Sequence, residues 1–177
     1  MVIEKSCKCV KLKLPNNKVV DVLSPVLNEM YQWIQDVDEK PESGGYIVGY
    51  RHKKTGHISL ETVSHPYMLD TKNRTRFKIK DPRHMLFLKK AKRNKSYYMG
   101  VWHTHPQLIP CPSSTDWIDW ADSLEKEKSG CEYIFFVIVG IEEWRVWVGD
   151  SQNGIITEIF ECKKDKDGLY LYQEAEK

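Results

Sequence analysis

Two histidines and an aspartate carry the most pointed chemical signal in this 177-residue chain. His103 and His105 stand two apart, directly after the β-favouring run Tyr97-Tyr98-Met99-Gly100-Val101-Trp102. On a strand, residues i and i+2 leave the same face, so both imidazoles project side by side. Pro106, Pro110 and Pro112 keep the next stretch out of regular structure, and Ser113 or Ser114 then opens a helix with Asp116 in its first turn. Two imidazoles on a strand end and a carboxylate on a returning helix can converge on one divalent cation. Zinc suits that set, because a hydrolytic zinc site uses three N/O ligands and keeps a fourth position open. Each piece also has a plainer reading. A lone His-x-His is a weak metal signal, and Ser-x-x-Asp is an ordinary helix cap with an acid favourable to the dipole. A carboxylate can cap and ligate together only if its geometry permits both.

The elements around this stretch follow from periodicity. Val10 to Leu14 alternates as a strand, and Lys18 to Val22 pairs back across the Pro15-Asn16-Asn17 turn. Ser24 as cap and Pro25 as first helical residue start a helix with Leu27, Met30, Tyr31 and Ile34 at helical spacing, ending near Asp38. Pro41-Glu42-Ser43-Gly44-Gly45 leads into the strand Tyr46 to Tyr50, and Ile58 to Val63 is its hairpin partner. Phe77-Lys78-Ile79 is a short strand. Asp81-Pro82 caps a helix whose apolar side takes Met85, Leu86 and Leu88. After the histidines, a helix to about Lys128 presents Trp117, Trp120, Ala121 and Leu124 as one core stripe. Tyr133 to Val139 is continuously apolar, as a strand buried on both faces is, and Glu143 to Val148 and Ile155 to Phe160 complete the sheet. The reading is a single α/β domain over 1–177 with a core of about 23–162 and a mobile tail over 163–177.

Composition sets the class. No apolar run approaches the roughly 18 residues that span a bilayer, and the first residues lack the apolar segment of a secretory signal. Five cysteines without framework spacing fit a reducing, cytoplasmic location, and Cys7-x-Cys9 has no second pair to complete a zinc clip. Net charge is +2, yet eleven Lys/Arg between Lys72 and Lys95 face the single acid Asp81, leaving about −8 for the remainder. That asymmetry is an electrostatic footprint for an acidic partner, or simply a solvated face. That partner could be protein or nucleic acid, although the aromatic interleaving of single-strand binders is lacking, and no membrane partner is expected. His52, His57, His65 and His84 stand singly and read as surface or satisfied core.

His103-x-His105, seven residues, then Ser113-x-x-Asp116, with Glu42 ahead of a Gly-rich strand, resembles the signature of the JAMM (MPN-domain) metalloproteases. The order of elements agrees from about Leu23 to Gly149. The wording Gly-Val-Trp-His-Thr-His-Pro with Pro-Cys-Pro-Ser-Ser-Thr-Asp is similar to the small prokaryotic JAB type, in particular to deconjugating peptidases of CBASS anti-phage operons. The resemblance implies an MPN-like domain, a mixed twisted sheet flanked by about three helices. It implies Zn2+ held by His103, His105 and Asp116, Glu42 as general base, and Ser113 as hydrogen-bond donor to the oxyanion. It implies an isopeptidase acting on a protein substrate with an extended C-terminal tail, ubiquitin-like or a conjugated cGAS-like nucleotidyltransferase, with the basic run Lys72 to Lys80 bordering the tail groove. Three alternatives stay open. They are an inactive MPN scaffold, a JAB peptidase processing another ubiquitin-like or sulfur-carrier protein, and a cysteine hydrolase using Cys111.

Overall fold

The computed structural model describes residues 1, 9–127 and 130–171. Among the described residues, ten strands and three helices follow in the order β1 (Val10–Lys13), β2 (Val19–Val22), α1 (Ser24–Tyr31), β3 (Gly44–Arg51), β4 (Ile58–Val63), β5 (Thr71–Asn73), β6 (Arg76–Lys78), α2 (Arg83–Arg93), β7 (Tyr97–Thr104), α3 (Ser114–Glu125), β8 (Tyr133–Val139), β9 (Trp144–Asp150) and β10 (Ile156–Ile159). Eight strands form one sheet in the order β1-β2-β4-β3-β7-β8-β9-β10, and β5-β6 stand apart as a two-stranded hairpin. The pairs β2–β4 and β7–β8 are parallel and the others antiparallel, so the sheet is mixed as expected. The sheet curls until its ends meet: Lys13 N–H donates to the Phe160 carbonyl and Cys162 N–H to the Lys11 carbonyl. Neither outer strand is left as a bare edge there, which removes a template for aggregation.

The wholly apolar β8 shows why the core divides in two. Its odd-numbered residues Tyr133, Phe135, Val137 and Val139 face the cluster that holds Val26, Leu27 and Met30 of α1. Its even-numbered residues Ile134, Phe136 and Ile138 face Trp120 and Leu124 of α3. Period-two side-chain alternation thus binds a helix to each face of one strand.

Several sequence expectations are corrected. The first helix stops at Tyr31, well short of Asp38, and its cap position is Leu23 rather than Ser24. The chain leaves the helix because Gln35, fully buried, has to reach carbonyls of Lys40 and Arg74 and the hydroxyl of Thr104. In α2 the buried stripe is His84 and Ala91, with Phe87 and Leu88 half-buried, whereas Met85 and Leu86 face outward. In α3 only Trp120 and Leu124 are buried, while Trp117 and Ala121 are exposed; the helix ends at Glu125, and Lys128 lies outside the described residues. In the expected tail a bridge joins Lys164 and Tyr170, and residues 172–177 lie outside the described residues, as does Cys7.

Candidate active site

Glu42, His103, His105, Ser113 and Asp116 meet where three elements end. His103 sits on β7 opposite Gly44 of β3, which brings the residues just before β3 alongside the imidazoles. Ser43 and Thr104 clamp that junction, with Thr104 N–H donating to the Ser43 carbonyl at 2.8 Å and Ser43 N–H to Thr104 Oγ1 at 3.0 Å. Thr104 Oγ1 in turn donates to Gln35 Oε1 at 3.0 Å, so a buried polar chain runs from Gln35 to the backbone beside Glu42. Gly44 is required here: a Cβ would fall 2.4 Å from the Trp102 carbonyl oxygen and 2.8 Å from the ring of Phe77. His105 N–H donates to the Val139 carbonyl, fixing the second imidazole to the end of β8. The loop that follows is pinned by amides of Ile141, Glu142 and Glu143 to the carbonyls of Gln107 and Leu108. Gly140 permits that approach, since a Cβ would lie 2.6 Å from the Gln107 carbonyl oxygen.

The donor atoms converge. His103 Nε2 and His105 Nε2 are 3.1 Å apart, His103 Nε2 and Asp116 Oδ1 3.1 Å, and His105 Nε2 and Asp116 Oδ2 3.4 Å. Zinc bonds of about 2.0–2.1 Å at tetrahedral angles require donors roughly 3.3 Å apart, close to the separations of His103 from Asp116 Oδ1 and of His105 from Asp116 Oδ2, so the two imidazoles and the carboxylate could share one cation. Glu42 also lies within 4.8 Å of both histidines and could complete a donor set. Its Oε1 is 4.0 Å from His103 Nε2, longer than that edge, and only 5% of the residue is exposed. Asp116 thus approaches the imidazoles more closely than Glu42 does.

Asp116 both caps and faces the histidines. Ser113 Oγ accepts from the Asp116 amide, while Asp116 Oδ2 accepts from the Ser113 amide at 2.6 Å and its hydroxyl at 2.7 Å. That capping box holds the carboxylate at the start of α3 with its other oxygen toward His103. The Ser113 hydroxyl is thus spent on Asp116, and an oxyanion would have to compete for it.

Charge is arranged for chemistry. Burial pushes the Glu42 carboxyl above its usual range, against the pull of His103 and His105. Burial also works against charge on Asp116, but hydrogen bonds from both histidines and Ser113 hold it far below the carboxylate range. Burial disfavours the His105 imidazolium, yet bonding to Asp116 carries its net shift upward.

A groove of about 550 Å3 opens from this cluster. Phe77, Lys78 and Ile79 form one wall, Trp120 and Ser123 of α3 the other, and Tyr46, Tyr98 and Val101 the floor. Sequence reasoning missed Gln35, Thr104 and the partner strand β5; a polar residue at a helical position gives no hint that it will be buried. Cys111 is exposed, with Arg145 Nη1 3.6 Å from its sulfur, and among the described residues no histidine hydrogen-bonds to it. The thiol lacks the base that a cysteine nucleophile needs.

Comparison with known proteins agrees with this anatomy. Residues 23–149 match the family model described as prokaryotic homologs of the JAB domain. A Vibrio cholerae protein named CD-NTase/cGAS isopeptidase is 27% identical over 142 residues, covering 78% of this chain and 86% of the relative. An Escherichia coli protein of the same name is 28% identical over 147 residues, covering 81% and 88%. The solution structure of a Desulfitobacterium hafniense protein superposes with a TM-score of 0.53 at 20% identity, covering 77% of this chain and 87% of that one, which speaks to fold alone. With its histidine pair, acidic partners and mixed sheet, the chain belongs to the prokaryotic JAB-domain family.

Proposed function

We propose that this protein is a zinc-dependent isopeptidase that releases a protein joined through its C-terminal tail to a lysine amine. The observation that carries the reading is the 3.1–3.4 Å triangle of His103, His105 and Asp116 beneath Glu42, at the end of a groove. The name of the Vibrio cholerae and Escherichia coli relatives, CD-NTase/cGAS isopeptidase, supports a cGAS-like nucleotidyltransferase as the conjugated protein; the sequence resemblance leads us to place the reaction in CBASS anti-phage defence in the cytoplasm.

A zinc ion on His103, His105 and Asp116 supplies Lewis acidity, which acidifies water and polarises a carbonyl. Glu42 accepts the proton of the attacking water at its carboxylate and returns it to the lysine nitrogen as the amide bond breaks. Burial raises its pKa, which makes the carboxylate a better proton acceptor than an exposed glutamate. Ser113 donates to the oxyanion once its hydroxyl turns from Asp116 Oδ2, and the Ser113 amide keeps the carboxylate in place meanwhile. The tail lies extended in the groove. β6 pairs only with β5 among the described residues, so its outer edge, beside Phe77, Lys78 and Ile79, can take the tail as a third strand.

The test is cleavage of a cGAS-like nucleotidyltransferase coupled through its C-terminal carboxyl to lysine. Cleavage is expected with zinc, is lost with a chelator and restored by added zinc, and survives thiol alkylation. Loss on alkylation of Cys111 would transfer the chemistry to the thiol. Resistance of every tail-linked substrate with zinc bound would make the protein a binding module.

A further inference from the structure

Glu42 stands outside the sheet that carries the histidines. β3 begins at Gly44, which pairs with His103, so the next step of the ladder joins Ser43 to Thr104. Half of that step is regular, with Thr104 N–H donating to the Ser43 carbonyl at 2.8 Å. The return bond goes to a side chain instead, from Ser43 N–H to Thr104 Oγ1 at 3.0 Å. One residue earlier the chain is already off the sheet, and Glu42 N–H donates to the Asn73 carbonyl of β5 at 2.7 Å. Glu42 Oε1 lies 4.0 Å from His103 Nε2, and among the described residues no hydrogen bond holds its carboxylate. The backbone on either side, anchored at Asn73 and at Thr104, therefore sets its place.

Gln35 ties those two anchors together. Its Oε1 accepts from Thr104 Oγ1 at 3.0 Å, while its Nε2 donates to the Arg74 carbonyl at 2.9 Å and the Lys40 carbonyl at 3.3 Å. One planar amide thus joins the end of β7, the residue after Asn73 and the segment that leads to Glu42. Both of its donor hydrogens are used, and neither Gln35 nor Thr104 has exposed surface. Burying an amide is unfavourable unless its bonds are made, and an apolar side chain would fill the same space without that demand. What the amide adds is direction. Thr104 leaves β7 on the face opposite to His103, so one strand end presents an imidazole on one side and holds the Glu42 segment on the other.

We infer that Gln35 is the positioning residue of the reaction: through the Thr104 hydroxyl and the Arg74 and Lys40 carbonyls it holds the Glu42 carboxylate at its distance from the histidines. The inference rests on the isopeptidase reading and adds to it which part of the fold sets the geometry of the base. Gln35 is neither in the donor triangle nor among the residues that line the groove, so its loss moves Glu42 and spares the cation and the tail. A shift of about 1 Å in a reacting group costs roughly a hundredfold in rate.

The experiment uses the full chain, a cGAS-like nucleotidyltransferase coupled through its C-terminus to lysine, and the variants Q35M, T104V, T104S and Q35M/E42Q. In Q35M, kcat is expected to fall about 10- to 100-fold while KM and zinc content stay within about twofold. T104V, which removes the hydroxyl, is expected to follow it, and T104S, which keeps the hydroxyl, to retain kcat within about threefold. In the E42Q background, Q35M is expected to change the residual kcat by less than about twofold, because the group it acts through is gone. Unchanged kcat in Q35M, an equal further loss in the E42Q background, a rise in KM at constant kcat, or zinc lost in step with activity would each overturn the positioning role. Should Q35M fail to fold, equal activity of T104V and T104S would overturn it instead. Amide hydrogen exchange followed by NMR reads the same arrangement without substrate. The Glu42 and Ser43 amides are expected to exchange about tenfold faster or more in Q35M, with the His105 amide, bonded to the Val139 carbonyl, still protected. Selective exchange in a protein that cleaves no conjugate would sink the isopeptidase reading and leave the brace on Glu42 standing; cleavage with uniform exchange would do the reverse.

Discussion

Two clusters in this protein are built from the same residue types and do opposite things. In one, Ser64 Oγ lies 2.8 Å from His84 Nδ1, and His84 Nε2 lies 2.9 Å from Asp70 Oδ2. In the other, His103, His105, Asp116 and Ser113 crowd the end of the groove. The first has the serine–histidine–aspartate order of a hydrolase, but all three residues are buried and both ring nitrogens of His84 are engaged. Asp70 further accepts amides from Tyr67, Lys80 and Asp81, on both sides of the β5–β6 hairpin, so this cluster is a clasp that anchors the groove wall. In the second, two imidazole nitrogens and a carboxylate lie 3.1–3.4 Å from one another at the end of an open groove, a set of donor atoms that one cation could share. Residue types do not separate a site from a scaffold; what separates them is whether the polar groups have already spent their hydrogen bonds on the fold.

Mutations that exchange the two behaviours would break this contrast. The largest effect is expected at the open cluster. H103A and D116N should lose zinc and all measurable cleavage, whereas E42Q should keep zinc and lose about 100- to 10,000-fold in kcat. Metal analysis alongside kinetics checks both, and full activity in E42Q would remove the base from the scheme. Next comes S113A, with a fall of about 100-fold in kcat from the oxyanion contact and about 1 kcal/mol of stability from the lost cap. Unfolding curves separate those two losses.

At the sealed cluster, H84A should leave zinc content unchanged and cost about 2–4 kcal/mol of stability, because Ser64 and Asp70 are left buried without their partner. Zinc loss in that variant would erase the distinction between the clusters.

The smallest effect concerns acid. Burial raises the Asp70 carboxyl, but the three amides and His84 outweigh it and hold the folded-state pKa below the usual value. Its contribution to stability is therefore complete above the ordinary carboxylate pKa of about 4, and is lost as pH falls below that value. Denaturant midpoints followed from pH 6 downward should show a steeper acid loss in the unaltered protein than in D70N; equal slopes would contradict the clasp.

The histidine pair was legible because a strand run and a two-residue spacing fix the direction of both rings without tertiary information. The Ser113–Asp116 spacing was legible too, although it could not say that capping and facing the histidines coexist in one carboxylate. Gln35 was not: Leu27, Met30, Tyr31 and Ile34 sustain a helical period past the point where the chain turns inward to satisfy carbonyls. In α2 the polar His84 concealed the buried stripe, and Met85 and Leu86 were read as core because apolar residues usually are. β5, with the residues Thr71-Lys72-Asn73, has no apolar alternation, since its hairpin borders a groove rather than a core.

The central claim is that three donors hold one cation under Glu42. Zinc titration of metal-free protein, read by calorimetry for the unaltered chain, E42Q and D116N, tests it directly. One zinc per chain in the first two and none in the third is the predicted result; unchanged zinc uptake in D116N, or loss of it in E42Q, would contradict the assignment of Asp116 as ligand and Glu42 as base.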